Sequence, residues 1–246
     1  MKTQILLGLI ALGSLLNTAC SVETMDSSQV TPQGTYQSYS VTYDAASDST
    51  QYYAQFRAGG FSGTTLSLSS PAQVAANSSK MSSSWMLGTY YSRTVSGFQP
   101  DARFEWTDNQ QKVYVNNTSM KPVAIKTAAA TISGLVVYEV EIEALSLANN
   151  EEVRVSLYQE HQGETQKEIL SANAVYNRNT HKATFSPVEL AKLRNGNAVL
   201  NVSRSTSKSL QQSPNNKGVI SATYNAVPMN VMIMNLAPAA VSLAGR

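Results

Sequence analysis

The chain has 246 residues and a formal net charge of +2, with charged side chains making up 14% of it, well below the ~25% of typical soluble domains. That balance gives no basic footprint for a nucleic acid partner, and the single cysteine excludes a disulfide framework. The length suffices for two domains of ordinary size, whose stability must come from packed cores.

Lys2 and the amino terminus supply a positive start. Residues 5–16 are apolar, broken only by Gly and Ser, and too short for a bilayer that needs ~20 residues. The small pair Thr18-Ala19 then precedes Cys20. These are the parts of a secretory signal, residues 1–19. The stretch Leu15-Leu16-Asn17-Thr18-Ala19-Cys20 resembles the lipobox of bacterial lipoproteins, with Asn17 standing where that family usually has Leu. The resemblance implies cleavage between Ala19 and Cys20 and acylation of Cys20. With Ser21 rather than Asp after the cysteine, it also implies the outer membrane of a cell envelope. Several acyl chains, each contributing ~0.8 kcal/mol per buried methylene, hold a soluble domain at a membrane. Cleavage removes Lys2, one of 18 basic residues set against 16 acidic ones, so the mature chain is nearly neutral.

Residues 21–34 (SVETMDSSQVTPQG) are polar and aperiodic. Together with Cys20 they read as a flexible tether, residues 20–34, with a root-mean-square reach of about 20 Å. From Tyr36 onward the period is two. Tyr39, Val41 and Tyr43 alternate with polar neighbours, as do Tyr52, Ala54 and Phe56, then Leu66 and Leu68, Phe104 and Trp106, and Val113 and Val115. Turn residues such as Gly59-Gly60, Ser70-Pro71 and Asn116-Asn117 bound the runs, which predicts short antiparallel strands. A second set follows the small-residue stretch 126–134. Tyr138, Val140 and Ile142 alternate with Glu139, Glu141 and Glu143, and Val153, Val155 and Leu157 come next. Ser186-Pro187-Val188-Glu189 is a capping box that predicts a helix of about two turns. The expected fold is all-β: two tandem immunoglobulin-like antiparallel sandwiches, residues 35–132 and 133–246. The single helix before a late strand resembles the sheet crossover of immunoglobulin-like domains.

Few residues suggest chemistry. Ser205-Thr206-Ser207-Lys208 fits S-x-x-K but sits at a strand end and lacks the partner motifs. Gly59-Gly60-Phe61-Ser62-Gly63 precedes a strand rather than the helix a phosphate cradle requires. His161 and His181 have no ligand-spaced partners, so no metal site and no cofactor is expected. The three glutamates 139, 141 and 143 share one strand face about 7 Å apart, the pattern of a half-exposed strand, although paired carboxylates also serve glycoside hydrolysis. Residues 139–168 hold eight acids against Arg154 and Lys167, and residues 169–246 are basic apart from Glu189, which suggests ion pairing across a sheet. The adjacent pairs Tyr52-Tyr53 and Tyr90-Tyr91 must each send one ring outward from a strand. Trp85, Tyr90 and Tyr91 are therefore the candidate ligand contacts, for stacking on a glycan or anchoring a protein partner. The functional expectation is a membrane-anchored, non-enzymatic binding or structural module. A carbohydrate-binding surface lipoprotein and a hydrolase with a fold-assembled site are the alternatives.

Overall fold

The computed structural model describes residues 24–84, 89–144, 146–162 and 167–234. The strands in chain order begin with β1 (Thr24–Asp26), β2 (Thr35–Asp44), β3 (Ser49–Ala58), β4 (Thr65–Ser67), β5 (Gln73–Ala76), β6 (Ser79–Lys80) and β7 (Ser82–Ser84). Next come β8 (Tyr90–Ser96), β9 (Asp101–Thr107), β10 (Val113–Ser119), β11 (Val123–Ala128), β12 (Thr131–Ser133), β13 (Tyr138–Ala144) and β14 (Glu151–Gln162). The last are β15 (Lys167–Asn173), β16 (Val175–Asn177), β17 (Lys182–Phe185), β18 (Gly196–Ser209), β19 (Gly218–Asn225) and β20 (Met229–Met234), with one helical turn, α1 (Pro187–Leu190), before β18.

The period of two places the side chains as the sequence predicts on most strands. Tyr39, Val41, Tyr52, Ala54 and Phe56 are almost fully buried, as are Val140, Ile142, Val155 and Leu157. One expected register is inverted. Val113 is 48% exposed, while Tyr114, Asn116 and Thr118 point into the protein. The Tyr114 ring stacks on Trp106 at 5.2 Å between centroids, and burying that ring outweighs burying valine. Asn116 is then satisfied by Gln212, donating to its carbonyl at 2.9 Å and accepting from its N–H at 3.0 Å.

The large sheet runs in the order β1-β4-β3-β2-β19-β18-β14-β15, with β8 beside β3 and β20 beside β18. Most pairs are antiparallel, and β19 with β2, β1 with β4 and β12 with β20 are parallel. Two smaller sheets, β10-β9-β5-β6 and β11-β13-β17-β16, provide the opposing layers. β18 links the halves. Its first part pairs with β20, its last part with β19, and β14 runs along its other edge.

Two hydrophobic cores result. The first packs Tyr39, Phe56, Phe104 and Trp106 together with Ile220 and Ala222 of β19. The second packs Val140, Phe185, Leu157, Leu200 and Ile233. Tyr224 touches both. The division of the cores departs from the two tandem segments expected. Val123 and Ile125 of β11 pack with the second core, and residues 218–225 return to the first. Asn215 seals that return, its Nδ2 donating to Gln33 O at 2.9 Å and Thr35 O at 3.1 Å. The chain is an all-β protein of two sandwiches fused through one sheet.

The expected tether is also shorter than its polarity suggests. From Thr24 the chain lies on the first sandwich, with β1 against β4. The Asp26 carboxylate accepts from Ser28 N–H and from Ser69 Oγ, both at 2.7 Å. Met25 and Val30 pack on the first core. Local Asx and cross-segment hydrogen bonds hold a stretch that has no apolar periodicity. At the capping box, Ser186 Oγ accepts from Glu189 N–H at 3.3 Å. The helix is a single turn rather than two. Leu190 and Leu193 reach the core, and the chain is then caught by Gln159, which accepts from Arg194 N–H at 2.9 Å and donates to Arg194 O at 3.0 Å.

Candidate functional site

Both small sheets cover the same face of the large sheet. Ile220 and Ala222, which enter the first core, stand opposite Lys208 and Thr206, on the face of β18 that also carries Val202 into the second core. Among the described residues no second sheet covers the other face. Its side chains follow from the registers. Tyr53 stands between Ser92 of β8 and Ser40 of β2, followed by Ser221 of β19 and Ser207 of β18. The next row runs Thr94, Gln51, Thr42, Thr223, Ser205 and Glu152. Between β8 and β18 the charged residues of this face are Arg57 and Asp44, at opposite ends of the β2–β3 pair.

Two tyrosine rings rise from this field of hydroxyls. Tyr53 is 39% exposed, and its ring centroid lies 5.9 Å from that of Tyr90 with a 50° tilt. Tyr53 Oη donates to Gln51 Oε1 at 3.1 Å. Gln55 Oε1 accepts from Arg57 Nε at 3.1 Å and Nη2 at 2.9 Å. Arg57 Nη1 also donates to Phe61 O at 2.7 Å, and its guanidinium lies 5.7 Å from the Phe61 ring centre. Tyr36 meets the same ring edge-on at 6.1 Å. The arrangement offers apolar ring faces beside amide and hydroxyl groups, on a surface with little net charge.

Of the candidate contacts, Tyr90 belongs to this face. Tyr91 does not. It faces inward at 6% exposure, and its hydroxyl accepts from Leu68 N–H at 2.6 Å. Burial pushes its pKa up, partly offset by the Leu68 N–H, so this side chain is core rather than contact. Trp85, Ala19 and Cys20 lie outside the described residues. Sequence reasoning missed Tyr53 as the partner of Tyr90. Alternation already sent Tyr53 outward, but its neighbour across the strands depends on pairing that no local pattern encodes.

The other candidates take structural places. Glu139 pairs with Lys182 at 3.0 Å and Glu141 with Lys126 at 2.7 Å. The Lys126 ammonium, by hydrogen bond and by charge, holds the Glu141 carboxyl below its usual range. The acidic and basic stretches also meet through Glu168–Arg194 and Glu151–Arg204, while Glu160 pairs with Lys167 inside the acidic stretch. His181 adopts a φ of 54° in the turn before β17, with Nδ1 3.1 Å from Tyr176 Oη. His161 stands opposite Glu168 on the β14–β15 ladder. Ser205 and Lys208 lie within β18, not at a helix start. Gly63 closes the turn after β3, where a Cβ would overlap the Ala58 carbonyl oxygen.

A cleft beside β14 is lined by Glu152, Arg154, Tyr176 and Arg178. Both guanidiniums are engaged, Arg154 with Glu152 at 2.9 Å and Arg178 with the Ala148 and Glu151 carbonyls. Among the described residues, no group of three or more His, Cys, Asp or Glu is placed to hold a metal.

No protein-family model and no curated protein matches the chain. Among solved structures it is similar to the fibronectin(III)-like modules of Clostridium thermocellum CbhA, at 9% identity and a TM-score of 0.23, over 81% of this chain and 95% of that one. It is similar to SGBP-B of the Bacteroides ovatus mixed-linkage glucan utilization locus, solved in complex with a mixed-linkage heptasaccharide. There the identity is 8% and the TM-score 0.23, over 81% of this chain and 60% of the other. The adhesin InvE of Yersinia pseudotuberculosis matches at 8% identity and a TM-score of 0.21, over 83% of this chain and 60% of that one. The chain thus covers less than two thirds of the length of the latter two.

Proposed function

We propose that the chain is a membrane-anchored, non-enzymatic binding or structural module of a bacterial envelope, held at the outer membrane by lipid on Cys20. The observation that carries the module reading is the single sheet that runs through both cores. One of its faces carries both cores, and the other presents mainly hydroxyls, amides and rings, the cleft with Glu152 and Arg154 lying beside β14 at its second-sandwich end. Such a face suits recognition of an extended surface. Enzyme sites instead concentrate perturbed acids, bases and nucleophiles in a concavity. The anchor reading is supported by the apolar run before Thr18-Ala19-Cys20.

The test is fractionation of cells expressing the wild-type chain and Cys20→Ala, with intact mass measured on the purified proteins. The wild type is expected in the membrane fraction with acyl mass added at Cys20. The variant is expected to leave that fraction. A wild-type chain with an unmodified Cys20, or a variant that still sediments with membranes, overturns the anchor. Protease shaving of intact cells then reports the orientation: digestion places the sandwiches outside, and survival until the outer membrane is opened places them in the periplasm.

A further inference from the structure

We infer that the open face of the first sandwich binds a neutral polysaccharide, with Tyr53 and Tyr90 as the stacking rings. Gln51 and Gln55 are the flanking hydrogen-bond donors. This deepens the binding-module reading and rests on it.

Three properties of the face select this occupant. The first is charge. From β8 through β18, Arg57 and Asp44 are the charged residues and stand at opposite ends, and Arg57 is already engaged by Gln55, the Phe61 carbonyl and the Phe61 ring. A nucleic acid or an anionic polymer would find no basic track here. The second is the scarcity of aliphatic side chains. Val219 of β19, flanked by Ser38 and Ser209, and Val199 of β18 are the aliphatic residues of this face on those two strands. A lipid surface, or the apolar centre of a protein interface, needs more.

The third property is the pairing of ring and amide. A pyranose presents an apolar C–H face and an edge of hydroxyls, so it is met by an exposed ring beside fixed hydrogen-bonding groups. Tyrosine supplies both a ring face and a polar tip. Gln51 and Gln55 each have their oxygen occupied, by Tyr53 Oη and by Arg57 respectively. Among the described residues their amide N–H groups have no hydrogen-bond partner, and they can meet sugar oxygens. The five strands from β8 to β18 span about 19 Å at ~4.8 Å per strand. That width, with no enclosing wall, fits several consecutive sugar units better than one.

The probes are soluble dextran, laminarin and galactomannan, with alginate as the polyanionic control. Each is cast into a native gel run with the full chain in a non-glycosidic detergent. At least one neutral polymer is expected to retard the wild type, and alginate is not. Tyr53→Ala with Tyr90→Ala is expected to weaken retardation at least about tenfold, Gln51→Ala to weaken it, and Tyr53→Phe to retain most of it. Equal retardation by alginate, no retardation by any neutral polymer, or unchanged retardation of both the double alanine variant and Gln51→Ala overturns the inference. So does a wild-type dimer in sedimentation that the double variant converts to monomer, which would make the face a contact between copies. Failure here leaves the anchored-module reading standing, because that reading turns on the behaviour of Cys20→Ala.

Discussion

Replacing Arg204 with alanine removes a buried guanidinium that joins β18 to the start of β14 and to the link between β10 and β11. Arg204 is 3% exposed on β18. Its Nη2 donates to Glu151 Oε2 at 2.7 Å and to Ser146 O at 3.1 Å, and its Nη1 to Pro122 O at 3.4 Å. Pro122 lies between β10 of the first sandwich and β11 of the second. Without Arg204, the buried Glu151 carboxylate keeps the Ala148 N–H at 2.7 Å and Lys121 at 3.5 Å. Removing one partner of a buried pair costs about 3–5 kcal/mol. Because Lys121 remains, the lower end applies, which lowers the melting midpoint by about 6–12 °C in a chain of this size. Glu151→Leu combined with Arg204→Met is expected to recover most of the loss, since apolar replacement of both partners is often neutral. Acid separates the variants further. Burial raises the Glu151 pKa, but the Ala148 N–H, Arg204 and Lys121 outweigh it and hold the carboxyl below its usual range. A folded-state pKa below the unfolded value of ~4.3 gives stability that is present above that value and lost as pH falls through the folded one. The wild type therefore loses this contribution in acid, and the double variant has none to lose. Calorimetry across pH measures both. An Arg204→Ala chain that melts within about 1 °C of the wild type at neutral pH refutes the reasoning.

Ile220→Ala removes a fully buried side chain that the C-terminal half contributes to the first core. The expected loss is about 2–5 kcal/mol, seen as a shift of one cooperative transition, because β18 and β19 belong to one sheet. Two transitions, only one of them moved, would contradict the shared-sheet account. Gly218→Ala is expected to disrupt the β2–β19 pairing. Gly218 has a φ of 138°, and a Cβ there would lie 2.5 Å from the Gln37 carbonyl oxygen, which cannot move as the nearby Leu210 side chain can. The backbone strain alone is about 1–3 kcal/mol, and wild-type urea stability of this variant would show the contact to be absent.

The strands were legible where a large side chain alternates with a small polar one. Tyr39, Tyr52, Phe104 and Leu157 went where the period of two put them. The run 113–119 misled because periodicity ranks Val above Asn and Thr. The structure chooses instead by the ring of Tyr114 and by the Gln212 amide 96 positions from Asn116. The fusion of the sandwiches was not legible at all. It depends on β19 finding β2 in parallel, with Ile220 opposite Tyr39, and no turn chemistry connects strands so distant in sequence. Arg204 was hidden for a related reason. In SRSTSKS it looks like solvent-facing polarity, and only the position of Glu151 explains its burial. At the candidate site, sequence supplied the outward Tyr53 and one outward ring of the pair Tyr90-Tyr91. Which ring, and which neighbour it meets, waited on the β3–β8 register.

The docking of β1 changes how an anchored chain would stand on a bilayer. Three residues lie between Cys20 and Thr24, and the four steps fully extended reach at most about 14 Å. With lipid on Cys20, that leash is shorter than a sandwich is wide, so the molecule pivots close to its attachment instead of drifting above it. The attachment also lies at one margin of the large sheet, with β15 at the other. Seven strand spacings of ~4.8 Å separate those margins, about 34 Å along the sheet. On such an anchor the first sandwich would be the nearer to the membrane and the second the farther. With lipid on Cys20, the tyrosine-bearing face would belong to the sandwich nearer the attachment, within reach of a polymer lying against the membrane.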